Sequence, residues 1–243
     1  MEKLIKGADK LGIEFNARQL KQFELYYREL IEWNKKINLT AITDYSSVQV
    51  KHFLDSLTIT LALPGKEVER PDFNIIDIGT GAGFPGVPLK ILFPRPRLVL
   101  IEPTTKKTAF LHHIIRELGL ENVEVLNSRA EEAAHLPLYR EQFALVLSRA
   151  VALLPTLVEL TLPFCQVGGR FIAQKKGEID QELNRAKKAI AALGGKLDRI
   201  SKIELDEFAD GRYLIIIDKI SPTPSKYPRR PGLPRRRPIQ EVK

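Results

Sequence analysis

The chain has 243 residues, 44% apolar and 28% charged, a balance that buries a globular core without disulfides or metals. Its single cysteine, Cys165, excludes an internal disulfide framework, and a formal net charge of +8 favours an anionic partner. No secretory leader is legible in MEKLIKGADKLGIEF, and Arg149, Pro155 and Glu159 interrupt the most apolar stretch before it could span a bilayer. A soluble, cytoplasmic protein is expected.

Residues 1–70 read as a small helical subdomain. Leu20, Phe23, Tyr27, Leu30 and Ile31 recur at helical spacing, and Val50, Phe53, Leu54, Leu57 and Leu61 repeat the pattern until Pro64 and Gly65 stop it. After Pro71 the texture changes. FNIIDI, RLVLIE, NVEVLN, FALVLS and GRFIAQ read as buried strands separated by amphipathic stretches. In TTKKTAFLHHIIRELGL, Phe110, Leu111, Ile114, Ile115 and Leu118 face inward. YLIIIDKI is the candidate closing strand. The alternation predicts, for residues 71–220, an α/β domain with a Rossmann-like, mostly parallel, doubly wound sheet.

Residues 221–243 carry seven basic residues against one acid, and six of the sixteen prolines. Such a segment forms neither a helix nor an inner strand, so an extended, mobile arm is expected. Its arginines suit a phosphate backbone, although a solubilising tail has the same composition.

The chemistry starts at DIGTGAGFPG, residues 77–86, directly after the first strand. From Gly81 the letters satisfy the dinucleotide fingerprint G-x-G-x-x-G. From Asp77 they read as an acid followed by Gly79, Gly81 and Gly83, a pattern of S-adenosylmethionine sites. Glu102 ends the second strand twenty-one residues after Gly81, with Thr104 just beyond it. A carboxylate there accepts from both ribose hydroxyls in either reading. Two features favour the methyl donor. Asp77, at the end of a buried strand, can orient a cationic amino-acid group. Pro85 and Pro88 also remove N–H donors from the helix N-terminus that a pyrophosphate would need.

The remaining strand ends add candidates. Ala130 and Glu131 in SRAEE could read an adenine edge, or simply open a helix whose dipole favours acids. Arg149 leaves a very apolar strand, where a cation needs a partner: cofactor, substrate phosphate or Glu131. Lys175 and Lys176 follow the fifth strand. Cys165 reads as a core residue, and the four histidines show no metal-ligand spacing with it.

WNKKINLTAI, VKHFLDSL, DIGTGAGFPGVPLKI, SRAEE, SRAV and QKKG occur in one order. Over residues 20–220 that order resembles the bacterial ribosomal small-subunit methyltransferase G family, also called glucose-inhibited division protein B. The resemblance implies S-adenosylmethionine-dependent methylation of guanine N7 in 16S ribosomal RNA, with Gly79, Phe84, Glu102, Ala130, Glu131 and Arg149 at the cofactor. Lys36, His52, Lys106, Lys175 and Lys176 are the candidate RNA contacts, with 16S ribosomal RNA or the small subunit as partner and a monomer expected. Guanine N7 attacks through a free lone pair, so no catalytic base is assigned. Two alternatives stand beside this reading: a dinucleotide-dependent oxidoreductase and a non-catalytic RNA-binding protein.

Overall fold

A computed structural model describes residues 1–63, 67, 68, 70 and 72–239. The stop at Pro64 and Gly65, the boundary at Pro71 and residues 240–243 of the arm lie outside the described residues.

Five strands run parallel: β1 (Asn74–Ile78), β2 (Arg97–Ile101), β3 (Val123–Leu126), β4 (Phe143–Arg149) and β5 (Cys165–Lys176). The predicted closing strand is β7 (Arg212–Lys219), antiparallel to β5 and flanked by β6 (Gly195–Ile203) at the edge. The order β3-β2-β1-β4-β5-β7-β6 reverses between β1 and β4, where open α/β sheets hold ligands beyond their strand ends. Only Gly195 and Ile203 of β6 are buried, which is why its charged sequence carried no strand signal.

Alternation along each strand divides the core in two. Ile75, Leu98, Leu100, Leu145, Leu147 and Ile172 pack on one face, with the N-terminal helices, α5 (Gly86–Leu92) and α6 (Thr105–Glu117). Ile76, Val99, Ile101, Val146, Phe171 and Ala173 pack on the other, with α7 (Ala130–Ala133), α8 (Leu154–Thr161) and α9 (Asp180–Ala192). The N-terminal region opens with α1 (Glu2–Lys10) and α2 (Ala17–Asn34). Asn16 and Gln19 form a reciprocal cap on α2, worth about 1 kcal/mol. The buried seam of α2 runs through Phe23, Tyr26 and Leu30, so Tyr26 takes the inward place expected of Tyr27. After α3 (Tyr45–Val48), Gln49–Leu54 is a π-helical turn before α4 (Asp55–Leu57) and a 3₁₀ turn (Thr58–Ala62). That irregularity leaves Leu61 exposed, against expectation.

The C-terminal segment is not an extended free arm over its described residues. Arg140 donates to the carbonyls of Thr223 and Tyr227, at 2.8 and 2.9 Å. A short helix, α10 (Leu233–Arg236), follows Gly232 and packs against α8. Proline excluded inner-strand pairing, as composition requires, but not docking through carbonyl acceptors. No helix among the described residues is long and apolar enough to cross a membrane.

Candidate active site

The glycine loop is held from below by two carboxylates. Asp77, fully buried on β1, accepts through Oδ2 from Thr80 Oγ1 (2.7 Å) and from the Gly86 N–H (2.9 Å). Its Oδ1 has no hydrogen-bond partner among the described residues. Burial raises the Asp77 carboxyl to about 6, against the lowering effect of the Thr80 and Gly86 hydrogen bonds. Glu102 accepts from the Gly81 N–H through Oε2 (3.1 Å) and from the Thr104 N–H through Oε1 (2.9 Å). Thr104 thus enters the site through its backbone.

Gly79 turns at φ +69°, and a Cβ there would stand 2.6 Å from Val151 Cγ2. The Gly83 N–H donates to the Thr80 carbonyl at 3.0 Å, and the Tyr26 hydroxyl from α2 donates to the carbonyl of Ala82. The N-terminal helices therefore brace the loop directly.

The N-terminus of α5 offers a phosphate little. Gly86 N–H is occupied by Asp77, Val87 N–H by the Gly83 carbonyl (2.8 Å), and Pro85 and Pro88 have none. This counts against a pyrophosphate ligand.

Two cavities open at the carboxyl edge of the sheet. One, of about 260 Å³, has Gly79, Ile101, Pro103, Ala130 and Glu131 on its wall. The other, of about 770 Å³, is lined by Lys51, Arg149, Lys175, Lys176 and Arg212, among others. They share Val151 and Ala152, immediately after β4.

Arg149 departs from expectation. Its guanidinium donates to Asp55 Oδ2 (2.8 Å) and to the Lys51 carbonyl (3.1 Å), over the Phe84 ring at 5.1 Å. It lines the larger cavity rather than the smaller one, so its partner is Asp55, which the sequence reading missed. Arg212 Nη1 lies 3.5 Å from both oxygens of Asp55, and its Nε pairs with Asp210 at 3.0 Å. An acid inside the apolar run Phe53, Leu54 and Leu57 was the available signal for it. Phe84 lines neither cavity: it is buried, stacked between His52 (centroids 4.6 Å apart) and Tyr26 (5.3 Å).

His52 also lines the larger cavity, with partners from within the chain. Its ring is 9% exposed, with Nε2 2.8 Å from Thr40 Oγ1 and Nδ1 3.2 Å from Arg149 Nη2. Burial, reinforced by the Arg149 charge, pushes its pKa down to about 3. Lys175 donates to the Ala152 carbonyl (2.7 Å) and pairs with Glu182 (2.7 Å), which leaves Lys176 as the exposed member of that pair. Lys36 and Lys106 are exposed. Cys165 is fully buried, and burial raises its thiol to about 12.

The profile of the rRNA small subunit methyltransferase G family matches residues 19–208. A ribosomal RNA small subunit methyltransferase G from Dehalococcoides mccartyi (strain CBDB1) is 52% identical over 98% of this chain and 100% of its own. That of Brevibacillus brevis is 46% identical over 94% of each. Among solved structures, geranyl diphosphate C-methyltransferase from Streptomyces coelicolor A3(2), in complex with Mg2+, geranyl diphosphate and S-adenosyl-L-homocysteine, aligns with a TM-score of 0.50. At 14% identity, over 80% of this chain and 98% of that one, the likeness is one of fold.

Proposed function

The chain belongs to the rRNA small subunit methyltransferase G family, and from that premise we propose that it methylates N7 of one guanine in 16S ribosomal RNA. It is an S-adenosylmethionine-dependent rRNA methyltransferase of class I fold. The cofactor reading rests on the pair of carboxylates under the glycine loop. Asp77 has one buried oxygen unpartnered, and Glu102 keeps a further lone pair on each oxygen. Asp77 Oδ1 is the acceptor for a cationic amino-acid group, and Glu102 that for ribose hydroxyls. Gly79, Ala130 and Glu131 enclose the adenine in the smaller cavity. Gly81 and Thr104 hold Glu102 through their N–H groups, and Gly83 shapes the loop.

Bound S-adenosylmethionine supplies an electrophilic methyl group on a sulfonium. The chain's own contribution is positioning and charge. The larger cavity, which shares Val151 and Ala152 with the smaller, takes the guanine nucleotide out of the RNA stack. Arg149 and Arg212, fixed by Asp55, present cations to its phosphates, with Lys51 and Lys176 on the wall and Lys36 and Lys106 as outlying contacts. Guanine N7 needs no deprotonation, and His52, held neutral and engaged, is not placed to act as a base. Membership of this family supports action in the cytoplasm on RNA or small subunits.

The test is transfer of labelled methyl from S-adenosylmethionine to small subunits lacking the modification, followed by nucleoside identification. Label in 7-methylguanosine is expected. Label in another nucleoside would overturn the N7 assignment, and no label would overturn the substrate.

A further inference from the structure

The small cavity has a wall that no strand end supplies. Gly232, Pro234 and Arg235, from the C-terminal segment, line it together with Gly79, Ala130 and Glu131. We propose that residues 228–237 form the outer wall of the methyl-donor pocket and position Glu131 for the adenine. The inference rests on the donor reading above and assigns this segment a role at the cofactor rather than at RNA.

The segment is anchored at a buried charge. Glu159 on α8 is fully buried, and Arg229 grips it with its backbone N–H (2.8 Å), Nε (2.9 Å) and Nη2 (2.7 Å). Unpaired, that carboxylate would be costly inside α8, so the pair ties the segment to the domain. Arg229 Nη2 also donates to the Arg237 carbonyl at 2.7 Å, closing the segment into a loop. Thr156 Oγ1 donates to the Pro234 carbonyl at 3.2 Å, and His135 Nε2 lies 2.8 Å from the Pro228 carbonyl.

Between these ties the chain turns at Gly232, with φ +79°, which aims its N–H at Glu131 Oε1 from 2.9 Å. Glu131 Oε2 has no hydrogen bond among the described residues. The carboxylate is therefore held by one oxygen and offers the other. An exocyclic amino group, as on adenine, is the donor that such an acceptor fits. Arg230 and Arg236 are exposed, so the segment's positive charge does not depend on the pocket.

The experiment measures binding of S-adenosylhomocysteine and of 5′-methylthioadenosine by calorimetry. It compares the full chain, a truncation after Tyr227, and Gly232→Val, which disfavours the left-handed turn while keeping the Arg229–Glu159 anchor. Thermal melts identify variants that fold. Both ligands are expected to bind roughly 10-fold more weakly to Gly232→Val, by the same factor, because the segment meets only the adenosyl end. The KM for donor should rise while the KM for small subunits does not. In a Glu131→Ala background, Gly232→Val should add little. Unchanged ligand affinity in a folded Gly232→Val protein would overturn the proposal, as would an effect confined to the KM for subunits. Failure of the unaltered protein to bind either ligand would instead overturn the donor reading beneath it.

Discussion

Arg149, the last residue of β4, donates to Asp55 across 2.8 Å, joining the sheet's ligand edge to the N-terminal helices. Asp55 is 3% exposed and also faces Arg212, so one carboxylate balances two guanidinium groups. Asp55→Asn leaves Arg149 without a countercharge and leaves Arg212 with Asp210 alone. A loss of about 3 kcal/mol in unfolding free energy is expected by urea titration, together with a large fall in kcat/KM for subunits. Wild-type stability in the variant would show that the arginines do not depend on Asp55.

Glu102 accepts from two backbone N–H groups, and Glu102→Gln replaces one acceptor oxygen with a donor facing such a group. S-adenosylhomocysteine should bind about 10- to 100-fold more weakly, the loss of one or two charge-assisted hydrogen bonds. Calorimetry at constant pH reads it. An unchanged Kd would remove Glu102 from the donor site.

Asp77 predicts opposed effects on stability and affinity. Its folded carboxyl is raised to about 6 from 3.8, so the folded state holds the proton more tightly, and stability falls as pH rises through that window. Above pH 6 the whole deficit is present, up to about 3 kcal/mol, and Asp77→Asn removes part of it. The variant should resist urea better than wild type at pH 7.5 and not at pH 4, while binding donor more weakly. A variant that is both less stable at pH 7.5 and equally tight would contradict the role given to Oδ1.

His52 produces the reverse slope. Its pKa falls from 6.5 to about 3 on folding, so between those values the unfolded chain takes up a proton that the folded one refuses. Stability therefore drops on acidification from pH 6.5 toward 3, by at most about 1.4 kcal/mol per pH unit from this group. His52→Gln should flatten the profile relative to wild type. Parallel profiles would mean that the ring titrates alike in the folded and unfolded chain.

Cys165 should be inert. Its thiol, fully buried and raised to about 12, should resist iodoacetamide at pH 8 in the native protein and react once urea unfolds it. Rapid native alkylation would place the sulfur at an accessible site.

Periodicity and motif carried much of the fold to the page. β1, β2, β4 and the second half of β5 read as short apolar runs because strands buried on both faces have to be apolar, and edge strand β3 showed through Val123, Val125 and Leu126. DIGTGAGFPG and Glu102 were legible because their chemistry is local: the turn follows its strand, and the acid ends the next one. β6 escaped because an edge strand buries little, and Tyr27 was chosen over Tyr26 because the two stand at i+4 and i+3 from Phe23, spacings that both fit a helical stripe.

What the sequence by itself determined was the glycine loop, its two carboxylates and the sheet that presents them, since each is encoded within a few residues. Only the tertiary structure decided which charge meets which. Residues 55, 149 and 212 become neighbours through packing of the π-helical turn on the sheet, so Arg149 turned to Asp55 and away from Glu131. Likewise Glu131 found Gly232, 101 positions away, because Arg229 locks onto Glu159. Pairing of buried charges depends on distance in space, and one-dimensional patterning carries no record of it.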